Sequence, residues 1–272
     1  MYKKTMTTTN DPFAAVKEKQ RESWSFFAPI EVFTAAPAAR LVRYAGIAAG
    51  QRVLDVGTGT GVVALTAART GAQVTGLDLT PALLERAREN AALAELSIDW
   101  REGDAEDLPF EDASFDVVVS QFGHMFAPRA EVAIAQMLRV LRPRGTLAFA
   151  TWPPEHFVGR FFALVAQYSP PPPPGMSAPA AWGDVSVVRQ RLGEAVGSLR
   201  FERGVMQINT LSLHHIGRTL EETIGPLRAL VRSGDATAIA RYRTAFRELA
   251  AEYFEDNVVR QDYLMTSAIK QP

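Results

Sequence analysis

Residues 52–61 read R-V-L-D-V-G-T-G-T-G, from Arg52 to Gly61. An apolar strand through Val53, Leu54 and Val56 runs into three alternating glycines, Gly57, Gly59 and Gly61. A helical stretch, Val62 to Arg69, follows. Strand, tight glycine turn and helix together make a nucleotide-binding βα unit. The glycines let the backbone approach a ligand where a Cβ would collide. The free amides at the next helix N-terminus favour an anion or carboxylate.

The spacing narrows the ligand. A dinucleotide fingerprint is G-x-G-x-x-G. Here the third glycine arrives one residue early, at Gly61, and Val62 stands where that pattern wants glycine. Asp55 is part of the same turn. A carboxylate there repels a pyrophosphate but accepts a hydrogen bond, directly or through water, from an ammonium or amide. This argues against NAD or FAD and for a cationic, phosphate-free cofactor. S-adenosylmethionine, with an amino acid end and a sulfonium, fits.

Strand and helix patterns continue to alternate after the turn. A second strand, Gln73 to Leu77, ends at Asp78, placed about 20 residues past the turn to hold two ribose hydroxyls or to serve as a helix N-terminal acid. Thr80 and Pro81 open a helix whose buried face carries Leu83, Leu84 and Ala87. Ile98 and Trp100 mark a third strand leading into Gly103–Phe110, G-D-A-E-D-L-P-F. Either this is a polar turn, or Asp104 accepts from an adenine amino group while the Ala105 amide meets a ring nitrogen. In the second case Leu108 and Phe110 flank the base. Ser114–Ser120, S-F-D-V-V-V-S, reads as an interior parallel strand. The loop after it, Q-F-G-H-M-F-A-P, carries His124, the one histidine in the first half. A helix from Arg129 to Leu141, a turn at Arg142–Gly145 and a fifth strand, Leu147 to Thr151, follow.

Both flanks depart from this alternation. Met1–Asn10 is polar and expected to fray. From Pro12 to Tyr44 the pattern is helical, with an aromatic cluster of Trp24, Phe26 and Phe27. Beyond Thr151 come an aromatic helical stretch, Phe157–Tyr168, five prolines, Pro170–Pro174, and a helix Asp184–Ala195. The prolines read as a stiff connector. The segments 12–46 and 153–195 are expected to form a helical cover and part of an acceptor pocket within a single domain of 272 residues. A sixth strand (Leu199–Leu211), helices over Leu220–Ser233 and Thr237–Glu255, and a closing strand (Val258–Lys270) are expected last, the two strands antiparallel. His214 and His215 are adjacent and read as surface residues.

Composition removes several classes. No cysteine is present, which excludes disulfides, thiolate metal sites and cysteine nucleophiles. No HxxxH or HExxH spacing occurs, so no metal is expected. A formal net charge of -1 speaks against a bulk polyanion-binding surface, and no nucleic-acid partner is expected. No apolar run reaches membrane-spanning length, and the start lacks the apolar core of a signal peptide. A cytoplasmic protein is expected. Oligomeric state is left open.

Taken together, Val53–Gly61, Val74–Glu89, Gly103–Ser120 and Met137–Trp152 resemble the class I S-adenosylmethionine-dependent methyltransferases. The resemblance is to the broad small-molecule group that includes the ubiquinone and menaquinone biosynthesis methyltransferases. It implies an α/β, Rossmann-like, seven-stranded, mostly parallel sheet of order 3-2-1-4-5-7-6. Strand 7 is antiparallel, helices cover both faces, and a helical lid is added. It places Asp55, Gly57 and Gly59 around the methionine part of the cofactor and Asp78 on the ribose, with Thr58 as a further cofactor-binding residue. Leu79 borders the adenine, Asp104 and Ala105 address its edge, and Ser120 lies beneath the methionine. A common pattern has glycine where this chain has Arg144, which should alter local turn geometry and little else.

The expected reaction is methyl transfer to a small, partly apolar or aromatic acceptor by in-line displacement at the sulfonium methyl. His124 is the named base candidate, with shaping of the acceptor pocket as its other role. An RNA or protein methyltransferase, and a non-catalytic cofactor-binding or scaffold protein, are the alternatives.

Overall fold

The computed structural model describes residues 11–272. The reading of Met1–Asn10 lies outside the described residues. Two helices lead in, α1 (Ala14–Trp24) and α2 (Ala35–Ala45), joined through a 3-10 segment at Ala28–Thr34. Then β1 (Arg52–Val56), α3 (Val62–Ala68), β2 (Gln73–Asp78), α4 (Pro81–Leu93), β3 (Asp99–Glu102), β4 (Phe115–Gln121), α5 (Ala130–Val140) and β5 (Leu141–Thr151) alternate. After them come α6 (Phe157–Ala166), α7 (Val185–Leu192), β6 (Val196–Asn209), α8 (Leu213–Thr223), α9 (Gly225–Ser233), α10 (Ala236–Ala251), β7 (Phe254–Glu255) and β8 (Val258–Lys270).

The strands form one sheet in the order β3-β2-β1-β4-β5-β8-β6, with the short β7 also paired to β8. The pairs among β1 to β5 are parallel, and β8 is antiparallel to both β5 and β6. This is the expected Rossmann-like order, with β8 as the antiparallel strand because the two-residue β7 takes the seventh place. The order follows from burial. Val53, Leu54 and Val56 of β1 and Val117, Val118 and Val119 of β4 are at most 1% exposed, so both strands must be covered on each face. The chain leaves β1 for β2 on one side and returns to β4 on the other. That reversal opens a crevice at the strand carboxyl ends, where open α/β sheets bind ligands. No helix among the described residues is long and apolar enough to cross a membrane.

Two local expectations change. The single helix expected over Leu220–Ser233 is two, broken at Ile224, because Pro226 has no amide to continue a helix and instead sits in the first turn of α9. The stretch Arg142–Gly145 is an excursion within β5. Phe115 of β4 pairs with Leu141, and Val117 pairs with Thr146. Within it Arg144 has φ +62°, a left-handed backbone. A side chain there costs roughly 1–2 kcal/mol, offset in part by the entropy glycine loses on folding. Arg144→Gly should therefore stabilise the protein by about 0.5–1 kcal/mol in a urea titration. A loss of stability would show that the Arg144 side chain contributes more than its backbone costs.

Candidate active site

A cavity opens at the carboxyl ends of β1, β2 and β4 and is roofed by α1, α6 and α8. Its empty space is about 1650 Å³, counting the open mouth. Asp55, Gly57, Thr58, Gly59, Asp78, Leu79, Asp104 and Ala105 all line one end.

The two leading glycines serve different needs. A Cβ on Gly57 would lie 2.8 Å from Cα of Gly123, so Gly57 and Gly123 are required for two backbones to touch. That contact clamps the first turn against the loop after β4. Gly59 has φ +56° and nothing within 4 Å of where its Cβ would stand. There the backbone is exposed to the cavity, as close approach to a ligand demands.

Asp78 is buried and held from both sides. The Gly59 amide donates to its Oδ2 at 2.8 Å, and the Thr80 amide donates to its Oδ1 at 2.8 Å. Burial pushes its pKa up, against the lowering effect of those amides. The Thr80 hydroxyl and the Leu79 amide act in the same lowering direction. Asp55 takes the Thr58 hydroxyl at 2.6 Å and the Ala64 amide at 3.1 Å, both on Oδ2. Burial raises its pKa to about 7, and the nearby Asp78 charge pushes the same way.

Asp104 is engaged by a residue the sequence reading passed over. Lys17 of α1 reaches Asp104 at 2.7 Å, Asp11 at 2.6 Å and Glu106 at 2.7 Å. Its side chain is 8% exposed. Arg129 closes the network on Glu106 at 2.7 Å. The three carboxylates are spaced as if for a metal ion. The Lys17 ammonium occupies that role. Burial works against its charge, yet its three carboxylate partners raise its pKa overall. This network fastens α1 to the loop after β3.

Ser120 lies behind the wall. It is fully buried, donates to the Val56 carbonyl at 2.6 Å and accepts from the His124 amide at 3.0 Å. It thus ties the end of β1 to the loop after β4. The His124 ring is buried between Phe149 and Trp182, with ring centroids 4.7 Å from each. Neither ring nitrogen has a hydrogen-bond partner among the described residues. Burial, and secondarily the charge of Arg191, push its pKa down to about 3. The ring is neutral at any ordinary pH.

The other end of the cavity is apolar. Trp24 and Phe27 arrive from the N-terminal segment, Phe126 from the loop after β4, and Phe157, Phe161 and Phe162 from α6. Trp152 lines it too and stacks on Phe122 at 3.8 Å. Met206 and Ile208 of β6, Ile216 and Leu220 of α8, and the amides Gln121 and Gln261 complete it. Sequence reasoning missed this last set. The apolar–polar alternation Met206-Gln207-Ile208-Asn209 was the available signal, and β6 buries the two apolar residues. His214 and His215 sit exposed in the first turn of α8.

These residues fit a phosphate-free nucleoside ligand. An open glycine turn faces a pinned carboxylate, and Lys17 is the only lysine or arginine lining the cavity among the described residues. Its charge is already spent on three carboxylates.

Comparison with known proteins agrees. Residues 54–149 match a family model described as a methyltransferase domain. An uncharacterized protein of Mycobacterium tuberculosis is 38% identical over 234 residues, 85% of each chain. A demethylmenaquinone methyltransferase of Tropheryma whipplei is 40% identical over 124 residues, 45% of this chain and 51% of that one. The fold is similar to the crystal structure of a putative methyltransferase from Bacillus halodurans, with TM-score 0.62 and 20% identity, covering 87% of this chain and 100% of that one.

Proposed function

We propose that this chain, whose residues 54–149 match the methyltransferase-domain family, is a class I S-adenosylmethionine-dependent methyltransferase that transfers the cofactor's methyl group to a small, partly apolar or aromatic acceptor. The observation that supports this is the single cavity with two unlike ends, one polar and glycine-lined, the other aromatic. When bound, the cofactor supplies a sulfonium-activated methyl for in-line displacement.

The chain's own residues then have limited work, chiefly proximity and alignment. Asp78 holds the ribose hydroxyls, and Asp55 receives the ammonium of the methionine part. Gly57, Thr58 and Gly59 give that part backbone to lie against. Asp104 and Ala105 address the adenine edge, with Leu79 beside it. Ser120 supports the floor at second hand through Val56 and the His124 amide. For His124 the burial and the lowered pKa favour a pocket wall over a base. A group with pKa near 3 draws protons too weakly to help at neutral pH. The segments 12–46 and 153–195 contribute the cover, through Trp24 and Phe157 among others, and their closing would exclude water from the acceptor.

Calorimetry with S-adenosylhomocysteine and with NAD tests the cofactor site. The sulfur compound should bind and NAD should not; the reverse result sinks the assignment. The pH dependence tests Asp55. Its pKa is about 7 in the free protein, and a cation beside it favours the charged form. Binding below pH 7 must then release a proton, and affinity should fall by up to about tenfold per unit as pH drops from 7 toward 5. Buffers of different ionisation enthalpy would read that release. Asp55→Asn should abolish it; release persisting in the variant would remove Asp55 from the ammonium site.

A further inference from the structure

Charge is confined to one end of the cavity. The acids that line it are Asp55, Asp78 and Asp104, all on the glycine-lined side. Its one lysine, Lys17, is bound by three carboxylates. The aromatic end offers no ionised group among the described residues. A carboxylate or phosphate entering there meets no free cation. An ammonium meets no carboxylate. Either would lose its hydration without a partner, which is prohibitive for a full charge.

One polar atom at that end stands out. Gln121 ends β4 and lines the cavity. Its Nε2 donates to the Thr34 carbonyl at 3.0 Å, which fixes the amide's orientation, since the flipped amide would set two oxygens together. Its Oε1 is closed off from water and has no hydrogen-bond partner among the described residues. A buried acceptor left open in this way carries a desolvation penalty that a ligand donor removes. The next residue, Phe122, presents a flat surface stacked on Trp152 with rings 11° from parallel. Gly123 touches Gly57 of the cofactor turn. Donor recognition, flat apolar surface and cofactor turn thus adjoin within three consecutive residues.

Resting on the reading of the glycine-lined end as the cofactor site, we propose that the acceptor is an uncharged, flat, largely apolar molecule with one N–H or O–H donor, held by Gln121 Oε1. Gln121 is a positioning residue. It accepts a hydrogen bond from the acceptor and takes no proton.

The test uses the full protein and four probes of one shape: 2-naphthol, 2-methoxynaphthalene, 2-naphthoate and 2-naphthylmethylammonium. Binding of S-adenosylhomocysteine is measured first by calorimetry, and each probe is then titrated at saturating S-adenosylhomocysteine. The expected order is 2-naphthol first, its methyl ether about tenfold weaker for loss of one hydrogen bond, and both ions at least about 100-fold weaker. Gln121→Met should erase the difference between naphthol and ether while melting within a few degrees of the parent. Gln121→Glu is the second variant, should the first not fold, and should turn the preference toward the ammonium probe. Naphthoate or the ammonium probe binding the parent as tightly as naphthol overturns the proposal. So does a naphthol-to-ether ratio that survives Gln121→Met, or no naphthol binding by protein that binds S-adenosylhomocysteine. Failure to bind S-adenosylhomocysteine is a separate result and removes the cofactor site, and the proposal with it.

Discussion

Asp78→Ala should weaken S-adenosylhomocysteine binding by about 10- to 150-fold, equivalent to roughly 1.5–3 kcal/mol. The direct part is the loss of the two charge-assisted bonds proposed between Asp78 and the ribose hydroxyls. The structure adds an indirect part. Asp78 also accepts from the Gly59 amide at 2.8 Å, so the same carboxylate holds the glycine turn in shape. Removing it leaves the Gly59 and Thr80 amides without their acceptor and should cost about 1–2 kcal/mol of folding stability as well. The two parts separate by measurement. Calorimetry reads the affinity, and urea titration reads the stability. A folded Asp78→Ala protein with unchanged affinity would refute the assignment.

Lys17→Met should destabilise the protein strongly. It removes the cation from among Asp11, Asp104 and Glu106 and leaves Arg129 alone to answer them. Uncompensated buried charge of this kind costs roughly 3–5 kcal/mol, and the remaining arginine should hold the loss near the lower figure. The pH dependence gives the sign. Burial acts to raise the Asp11 pKa, but bonds from Lys17 and the Phe13 amide bring it below its ordinary 3.8. Its stabilising contribution is therefore present above pH 3.8 and is lost as pH falls through the lower folded value. In Lys17→Met the Asp11 carboxyl loses that cation and should titrate higher than in the parent, so the deficit against the parent should shrink on acidification from pH 7 toward 4. Hydrogen exchange should show α1 unprotected in the variant. Protection of α1 equal to the parent's would show that its apolar contacts, and not this network, hold it down.

How far the sequence could be read depended on where the information lay. The first turn, β2 ending at Asp78, β4 and the closing strand Val258–Lys270 were legible because each is decided locally, by glycine spacing or an unbroken apolar run. The break at Ile224 was also written locally, in Gly225-Pro226, and was overlooked in favour of helical periodicity. Lys17 was not legible. A lysine in a polar helix gives no sign that three carboxylates from elsewhere converge on it. The same is true of Gln121, whose meaning depends on Thr34, 87 positions away. Met206, Ile208 and Leu220 carry ordinary apolar signatures and become cavity wall only because β6 and α8 close the end of the cavity away from the glycine turn.

The position of β8 between β5 and β6 has a consequence for how the protein is made. Among the described residues β6 pairs with β8 alone. During synthesis β6 emerges with no ladder to join and must wait while α8, α9 and α10 are produced. For that interval a 14-residue strand stands as an unpaired edge on a nascent chain, open to pairing with another copy. Its outward-facing charges, Arg200, Glu202 and Arg203, suit it to that wait, since charged edges resist strand-to-strand association. The wall carried by Met206 and Ile208 is finished only when the last strand slides in. Ribosome-bound intermediates should therefore lack a closed cavity however early the glycine turn folds.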